Sequence, residues 1–200
     1  MLVEHDGRRP LVATTAYVAP TAVLCGDVTI GENARILFGA VVTAETGPVA
    51  IGESAIVMEN ALIRGRDGQH TAIRDHCLIG PHAHVNGAVI EDASFLATGT
   101  SVFPGARIGE GSEVRINGVV HVNTVLPPGS VVPIGWIAVG DPVQMFAPGQ
   151  HEELWAVQRD LDFPGTVFGL SREQATMRRV TARYADLFGR HADDRVIDED

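Results

Sequence analysis

Lysine is missing from this sequence: all 15 basic residues among its 200 are arginine. That excludes a P-loop, whose lysine reaches the nucleotide phosphates, a Schiff-base lysine and a polylysine patch. Cysteine is scarce, with Cys25 and Cys77 alone, so no disulfide framework holds the chain together. The opening residues MLVEHDGRRP carry no apolar run of the secretory-leader kind, and no transmembrane span follows. A cytoplasmic protein with no membrane partner is expected. Positive charge is also in deficit, the formal net charge being −10. Binding to nucleic acid or to an anionic lipid surface needs clustered cations, so neither partner is expected. The hydrophobic content, 45% of 200 residues, fills one core, which implies one main domain and an appendage.

What the chain does contain is a repeat. From Val18 and Leu24 onward an aliphatic residue returns every six positions, giving LCGDVT, IGENAR, ILFGAV and, further on, IEDASF, LATGTS, VFPGAR, IGEGSE. An α-helix at 3.6 residues per turn would rotate every sixth residue off its face. A coil with three flat faces of six residues each keeps all of them pointing inward, so an all-β main domain built as a parallel β-helix is predicted over residues 1–147. An ordinary sandwich would place its turn signals every 8 to 12 residues instead. Two insertions (TAETGPVA and RGRDGQHTA) and one shortened unit (VNGAV) interrupt the period without breaking its phase. The position after each inward aliphatic residue then forms a column, read as Cys25, Thr43, Arg64, Asn86, Phe103 and His121. Cys77 falls on an inward small position, and Gly31, Gly52, Gly80 and Gly109 fall at corners, which removes them as phosphate-loop candidates.

The period stops after Asp141, where GDPVQMFAPG provides an exit from the last coil. Residues 148–200 form a helical extension: HEELWAVQRD is one helix candidate, and SREQATMRRVTARYADLF a stronger one, opening on Ser171 with Gln174 as a capping box. Trp136 and Trp155 are expected to seal the last coil and anchor this extension. The acidic tail HADDRVIDED is expected to be frayed.

The stretches ILFGAVVTAETGPVAIGESAIVMENALIRG, TAIRDHCLIGPHAHVNGAVIEDASFLATGTSVFPGARIGEGSEV and LPPGSVVPIGWIAVGDPVQM, within residues 12–147, resemble the γ-class carbonic anhydrases of the hexapeptide-repeat superfamily. The resemblance implies a left-handed β-helix with a C-terminal α-helix, a homotrimer, and an active site between subunits where active members hold zinc through three histidines. Carried over residue by residue, those three positions are Arg64, Pro81 and Asn86 here, and the family's Arg-Gly-Asp triplet is replaced by Thr43, Ala44 and Glu45. Arginine keeps its proton and proline has no ligating atom, so the three-histidine zinc site is not expected and no cofactor is predicted.

The histidines nearby offer an alternative. His82 and His84 flank the replaced positions, and with His121 they form the set that would rebuild a zinc site across a subunit interface, restoring a zinc carbonic anhydrase. His70, His76 and His82 are spaced by six, but one face per step rotates them apart within a single chain. The principal expectation is a metal-independent lyase-like enzyme acting by hydration, dehydration or hydrolysis on a small carbonyl-containing or anionic substrate. Its intersubunit cleft would be built from Arg64 as fixed cation, the amide of Asn86 and Thr43, with Glu45, Glu59 or His82 as proton acceptor. Two further readings stand beside it: a hexapeptide acyltransferase using acyl-CoA, and a non-catalytic trimeric scaffold in which Arg64 only pairs with a glutamate.

Overall fold

A computed structural model describes residues 1–197 of the chain. Short parallel strands of two or three residues stack coil upon coil into a β-solenoid with three faces. One face is a ten-stranded sheet and the other two have seven strands each. On the ten-stranded sheet Leu24, Val42, Ile63, Val85, Val102 and Val120 stand in register, all pointing inward, and each is completely buried. Equivalent aliphatics fill the other two faces, among them Ile30, Ile51, Ile73 and Ile90 on one and Ile36, Val57, Ile79 and Leu96 on the other. The period of six therefore makes a single continuous core by stacking like residues about 4.8 Å apart along the ladder.

The corners explain the other residues of the repeat. At each of the three corners a residue takes a positive φ, as at Asn33, at Asn60 and Asn117, and at Asn123, where a short polar side chain or glycine tolerates the left-handed region. His76 and His82 occupy the same kind of position, with φ of 57° each. Gly52 answers a different need. Its φ is ordinary, but a Cβ there would lie 2.8 Å from the backbone of Arg74 in the next coil, so close stacking excludes a side chain.

The third corner carries the irregularities. Residues 44–48 and 65–70, the two insertions, loop outward one above the other, with the Asp67 amide donating to the Thr46 hydroxyl at 2.9 Å. A similar turn at His5–Arg8 lies on the first coil at that edge. These loops form one wall of the site described below.

Beyond the solenoid, Gln144–Phe146 folds back antiparallel on Ile137–Val139, and three helices follow: α1 (His151–Gln158), α2 (Phe163–Phe168) and α3 (Met177–Gly189). The helix expected from Ser171 starts six residues later. Instead of the capping box, the Ser171 carbonyl accepts the amides of Gln174 and Ala175 in a turn of its own, and α3 begins only after Thr176. Trp136 packs against the core as expected, whereas Trp155 is exposed and lies beneath the guanidinium of Arg172. The tail is not frayed through Ile197: Arg190–Asp193 forms a 3₁₀ turn, and Arg195–Ile197 pairs antiparallel with Leu2–Glu4. Residues 198–200 lie outside the described residues. Among the described residues, no helix is long and apolar enough to cross a membrane.

Candidate functional site

The column read from the period is present. Cys25, Thr43, Arg64 and Asn86 sit side by side on consecutive coils, and Phe103 and His121 continue the line after Val102 and Val120. What covers it within the chain is the C-terminal extension. Phe163 of α2 packs on Phe103 and His121 with ring centroids 5.9 and 5.6 Å apart. Phe188 of α3 lies under the Arg64 guanidinium at 5.2 Å, and His191 stacks on His5 at 4.4 Å. Burying an outward column rich in aromatic and polar groups under amphipathic helices is favourable because the rings bury apolar area while their polar edges find partners.

Glu45 is the centre of the polar part. Its carboxylate is 10% exposed and accepts from the Thr43 hydroxyl at 3.1 Å, pairs with Arg64 at 3.2 Å and meets Nε2 of His191 at 3.1 Å. Burial by itself would raise the Glu45 carboxyl, but the His191 hydrogen bond, the Arg64 charge and the Thr43 hydroxyl outweigh it and hold the group below its ordinary range. Burial likewise opposes charge on His191, and its bonds to Asp194 and Glu45 reverse that and raise it. Nδ1 of His191 meets Asp194 at 2.7 Å, and the other oxygen of Asp194 meets Nδ1 of His5 at 2.6 Å. Asp194 is itself held down by those two imidazoles against the opposing effect of burial. Cys25 closes the group, its Sγ 3.8 Å from Asp194. Burial first, then the carboxylates of Asp194 and Glu45, push its thiol up to about 11, which removes it as a nucleophile at neutral pH.

Beside Glu45 opens a cleft of about 810 Å³ between the stacked corner loops and α2–α3. Four arginines line it, Arg8, Arg66, Arg183 and Arg190, with Asp27 and Asp67 on the loop side. Arg66 donates to the Val167 carbonyl at 2.6 Å and Arg190 pairs with Asp6, whereas Arg8 and Arg183 make no ion pair among the described residues. A smaller pocket adjoins it, lined by Glu45, Arg64, Asn86 and Phe188.

Of the residues predicted from sequence, Thr43, Glu45, Arg64 and Asn86 thus come together. Glu59 and His82 do not: both lie at the corner before the ten-stranded sheet, where the His82 amide donates to the Glu59 carbonyl, and neither side chain bonds to Arg64. The stagger places them one corner away from the column, because a corner turns the chain between sheets. His84 faces the edge of Phe103, and His121 is buried with Nε2 bonded to the Gln158 amide at 2.9 Å and Nδ1 without a partner. Burial lowers His84, with the Arg64 charge adding to it, and burial lowers His121 as well. His82, His84 and His121 do not gather into a ligand set within the chain. The one grouping of three or more metal-ligating side chains among the described residues is His5, Cys25, His191 and Asp194, of which only Cys25 was marked by the repeat. The three-histidine positions of the resembled family do not fit a metal here, since Arg64 is engaged by Glu45 and Phe188, and Pro81 offers no donor.

No protein-family profile matches the chain. It is 24% identical over 111 residues to a carbonic anhydrase of Geobacillus kaustophilus (strain HTA426), covering 56% of this chain and 61% of that protein. It is 29% identical over 153 residues to the mitochondrial γ carbonic anhydrase 1 of Arabidopsis thaliana, covering 74% and 54%. The carnitine operon protein CaiE of Proteus sp. (strain LE138) is 30% identical over 109 residues, covering 54% of this chain and 55% of that one. The chain therefore matches between half and two thirds of the length of each of these relatives. Among solved structures, a Bacillus cereus protein assigned as an acetyltransferase superposes with TM-score 0.63 at 18% identity, covering 94% and 96% of the two chains. A hexapeptide transferase family protein from Anaplasma phagocytophilum gives 0.52 at 21%, covering 92% and 97%. At such identities these likenesses show the fold alone, a β-solenoid of stacked parallel coils. In sequence the chain is similar to carbonic anhydrases, among them the mitochondrial γ carbonic anhydrases of Arabidopsis thaliana.

Proposed function

We propose that the chain is a divergent enzyme of the γ-carbonic-anhydrase-like group that adds or removes water at a small carbonyl-containing or anionic substrate bound beside Glu45. The observation that carries this reading is the position of Glu45, a largely buried carboxylate at the junction of the 810 Å³ cleft and the small Arg64 pocket. Arg8 and Arg183 would draw an anionic group into the cleft. The Arg64 fork and the Asn86 amide would bind the substrate oxygen on which charge develops, and Glu45 would accept the proton of the attacking water. The γ carbonic anhydrase relatives support a hydration-type reaction, and the replacement at Arg64, Pro81 and Asn86 supports chemistry centred on a fixed organic cation.

The same proposal includes a homotrimer. On one seven-stranded sheet Ile56, Leu78 and Phe95 stand in register and point outward, forming an apolar stripe bounded by Arg35 and Glu113. Burying this stripe against a neighbouring copy would remove exposed apolar surface from water.

The test is conversion of carbon dioxide and of a panel of small carbonyl compounds and esters by the wild type and by Glu45→Gln and Arg64→Ala. Turnover lost in both variants, with unchanged circular dichroism, supports the reading. No turnover by the wild type, accompanied by a rise in melting temperature with saturating CoA, would transfer the protein to the acyltransferases.

A further inference from the structure

We infer that His5, Cys25, His191 and Asp194 form a structural binding site for a divalent transition metal of the zinc class, which fastens the C-terminal extension to the first two coils. This inference stands apart from the reaction proposed above, since its four ligands are different residues in a closed site and only Glu45, behind His191, is shared.

The four ligand atoms lie within 4.8 Å of one another, drawn from three separate places: the turn of the first coil, the second coil, and the 3₁₀ turn after α3. Two imidazoles, one thiol and one carboxylate are a donor set suited to zinc in tetrahedral coordination. In such a site the ligand atoms are separated by roughly 3.3–3.6 Å, given bond lengths of about 2.0–2.3 Å. The present cluster reaches that scale by side-chain rotation, the two Nδ1–Asp194 separations opening from 2.6 and 2.7 Å while the wider pairs, all within 4.8 Å, draw in. Cys25 and His5 are nearly sealed from solvent, at 6% and 3% exposure, whereas His191 and Asp194 are partly exposed; four protein donors would fill a tetrahedral shell and leave no position for a reacting water.

The second observation is what stands behind the two imidazoles. Each turns Nδ1 toward Asp194, at 2.6 Å for His5 and 2.7 Å for His191. Each turns Nε2 toward a further carboxylate, Asp6 at 3.7 Å and Glu45 at 3.1 Å. A carboxylate behind each imidazole is the arrangement that fixes the tautomer and ring direction of a metal-bound histidine. Hydrogen bonding to Asp194 alone would require neither the thiol nor the outer pair of carboxylates. With the metal in place, the Nδ1 protons now donated to Asp194 pass to a free Nε2 or, where Nε2 already carries one, to solvent, so that Nδ1 of each ring becomes the ligand atom and Nε2–H faces Asp6 or Glu45; Cys25 binds as thiolate after giving its proton to solvent. His191 keeps its bond to Glu45 throughout, so the metal leaves the Glu45 pocket assembled.

Three measurements on the full chain test this. Metal content of protein purified without chelator is read by plasma mass spectrometry, and chelator-stripped protein is titrated with Co²⁺ and followed by visible absorption. The expected results are one zinc per chain and, at one equivalent of cobalt, the intense bands of a tetrahedral cobalt–thiolate centre. These bands are lost in Cys25→Ser, and Asp6→Asn weakens cobalt binding about 10- to 100-fold. Hydrogen exchange of residues 188–197 quickens on chelation while the coil amides hold. Wild-type protein that is folded, holds no metal and gives no thiolate band overturns the inference. So does a bound metal whose affinity is untouched by Cys25→Ser, which would point to another site, His82, His84 and His121 being the first to examine. None of these readouts depends on turnover, so failure of the proposed reaction leaves this test intact.

Discussion

His121 shows most plainly what a single residue of the column contributes. It is buried among Phe103, Phe163 and the Gln158 amide, with one ring nitrogen unpartnered, and burial disfavours its charged form. A base whose pKa is lowered in the folded state is protonated more readily in the unfolded chain, so stability is complete above the ordinary histidine value of about 6.5 and declines as pH falls below it. His84, lowered by burial and the adjacent Arg64, acts in the same direction. The wild type should therefore lose urea resistance as pH falls below about 6.5, and His121→Phe, which keeps the ring and removes the proton, should flatten part of that slope. An unchanged slope would show that His121 does not titrate with unfolding. Arg64→Ala removes both the partner of Glu45 and the cation over Phe188; Arg64 is 30% exposed, so we expect a loss of about 1–2 kcal/mol in urea unfolding rather than the larger cost of a fully buried pair. Thr43, Arg64 and Asn86 were legible in the sequence because counting by coils places them in one column. His5, His191 and Asp194 were not: His5 and Asp194 meet across 189 positions, and no period relates a residue outside the repeat to one inside it.

At the scale of the element, the strands follow from the six-residue period, while the helices follow from what they cover. α2 escapes a reading of the sequence because it has only six residues with proline and glycine among them. It forms because Asp162, itself at positive φ, accepts the Gly165 amide at 3.2 Å and because Phe163 finds the ring surface of Phe103 and His121. The Ser171 signal misled for a related reason, since a capping box and an isolated turn share the same first residues and tertiary packing selects between them. Phe163→Ala should cost about 1.5–2.5 kcal/mol, roughly half of the value for a fully buried phenylalanine because this one is only partly covered. Hydrogen exchange should quicken in α2 and leave the coils unchanged; equal quickening throughout would mean that the helices and the solenoid unfold as one unit.

The whole molecule adds a surface that no single coil displays. If the outward stripe of Ile56, Leu78 and Phe95 joins three copies, then Phe95→Arg places a charge in that contact. Light scattering should then report the mass of a single chain, 21.3 kDa, with the circular dichroism of the solenoid retained. A wild type that already scatters as a single chain would remove the trimer from the proposal.

The ten-stranded sheet is closed at both ends by strands that run against the rest, Gln144–Phe146 at one and Arg195–Ile197 at the other. A stack of parallel coils has no intrinsic length, and a bare terminal coil is a template on which another molecule could continue the ladder. A reversed strand ends that growth on this face, since the next coil would meet backbone groups set for the wrong direction. At the first coil the terminator comes from the far part of the chain, so a ribosome-bound intermediate has finished most of its coils while this seam stays open. Partly made molecules are thus the ones most exposed to end-to-end polymerisation, and the cell's interval of risk lasts until Arg195–Ile197 has docked.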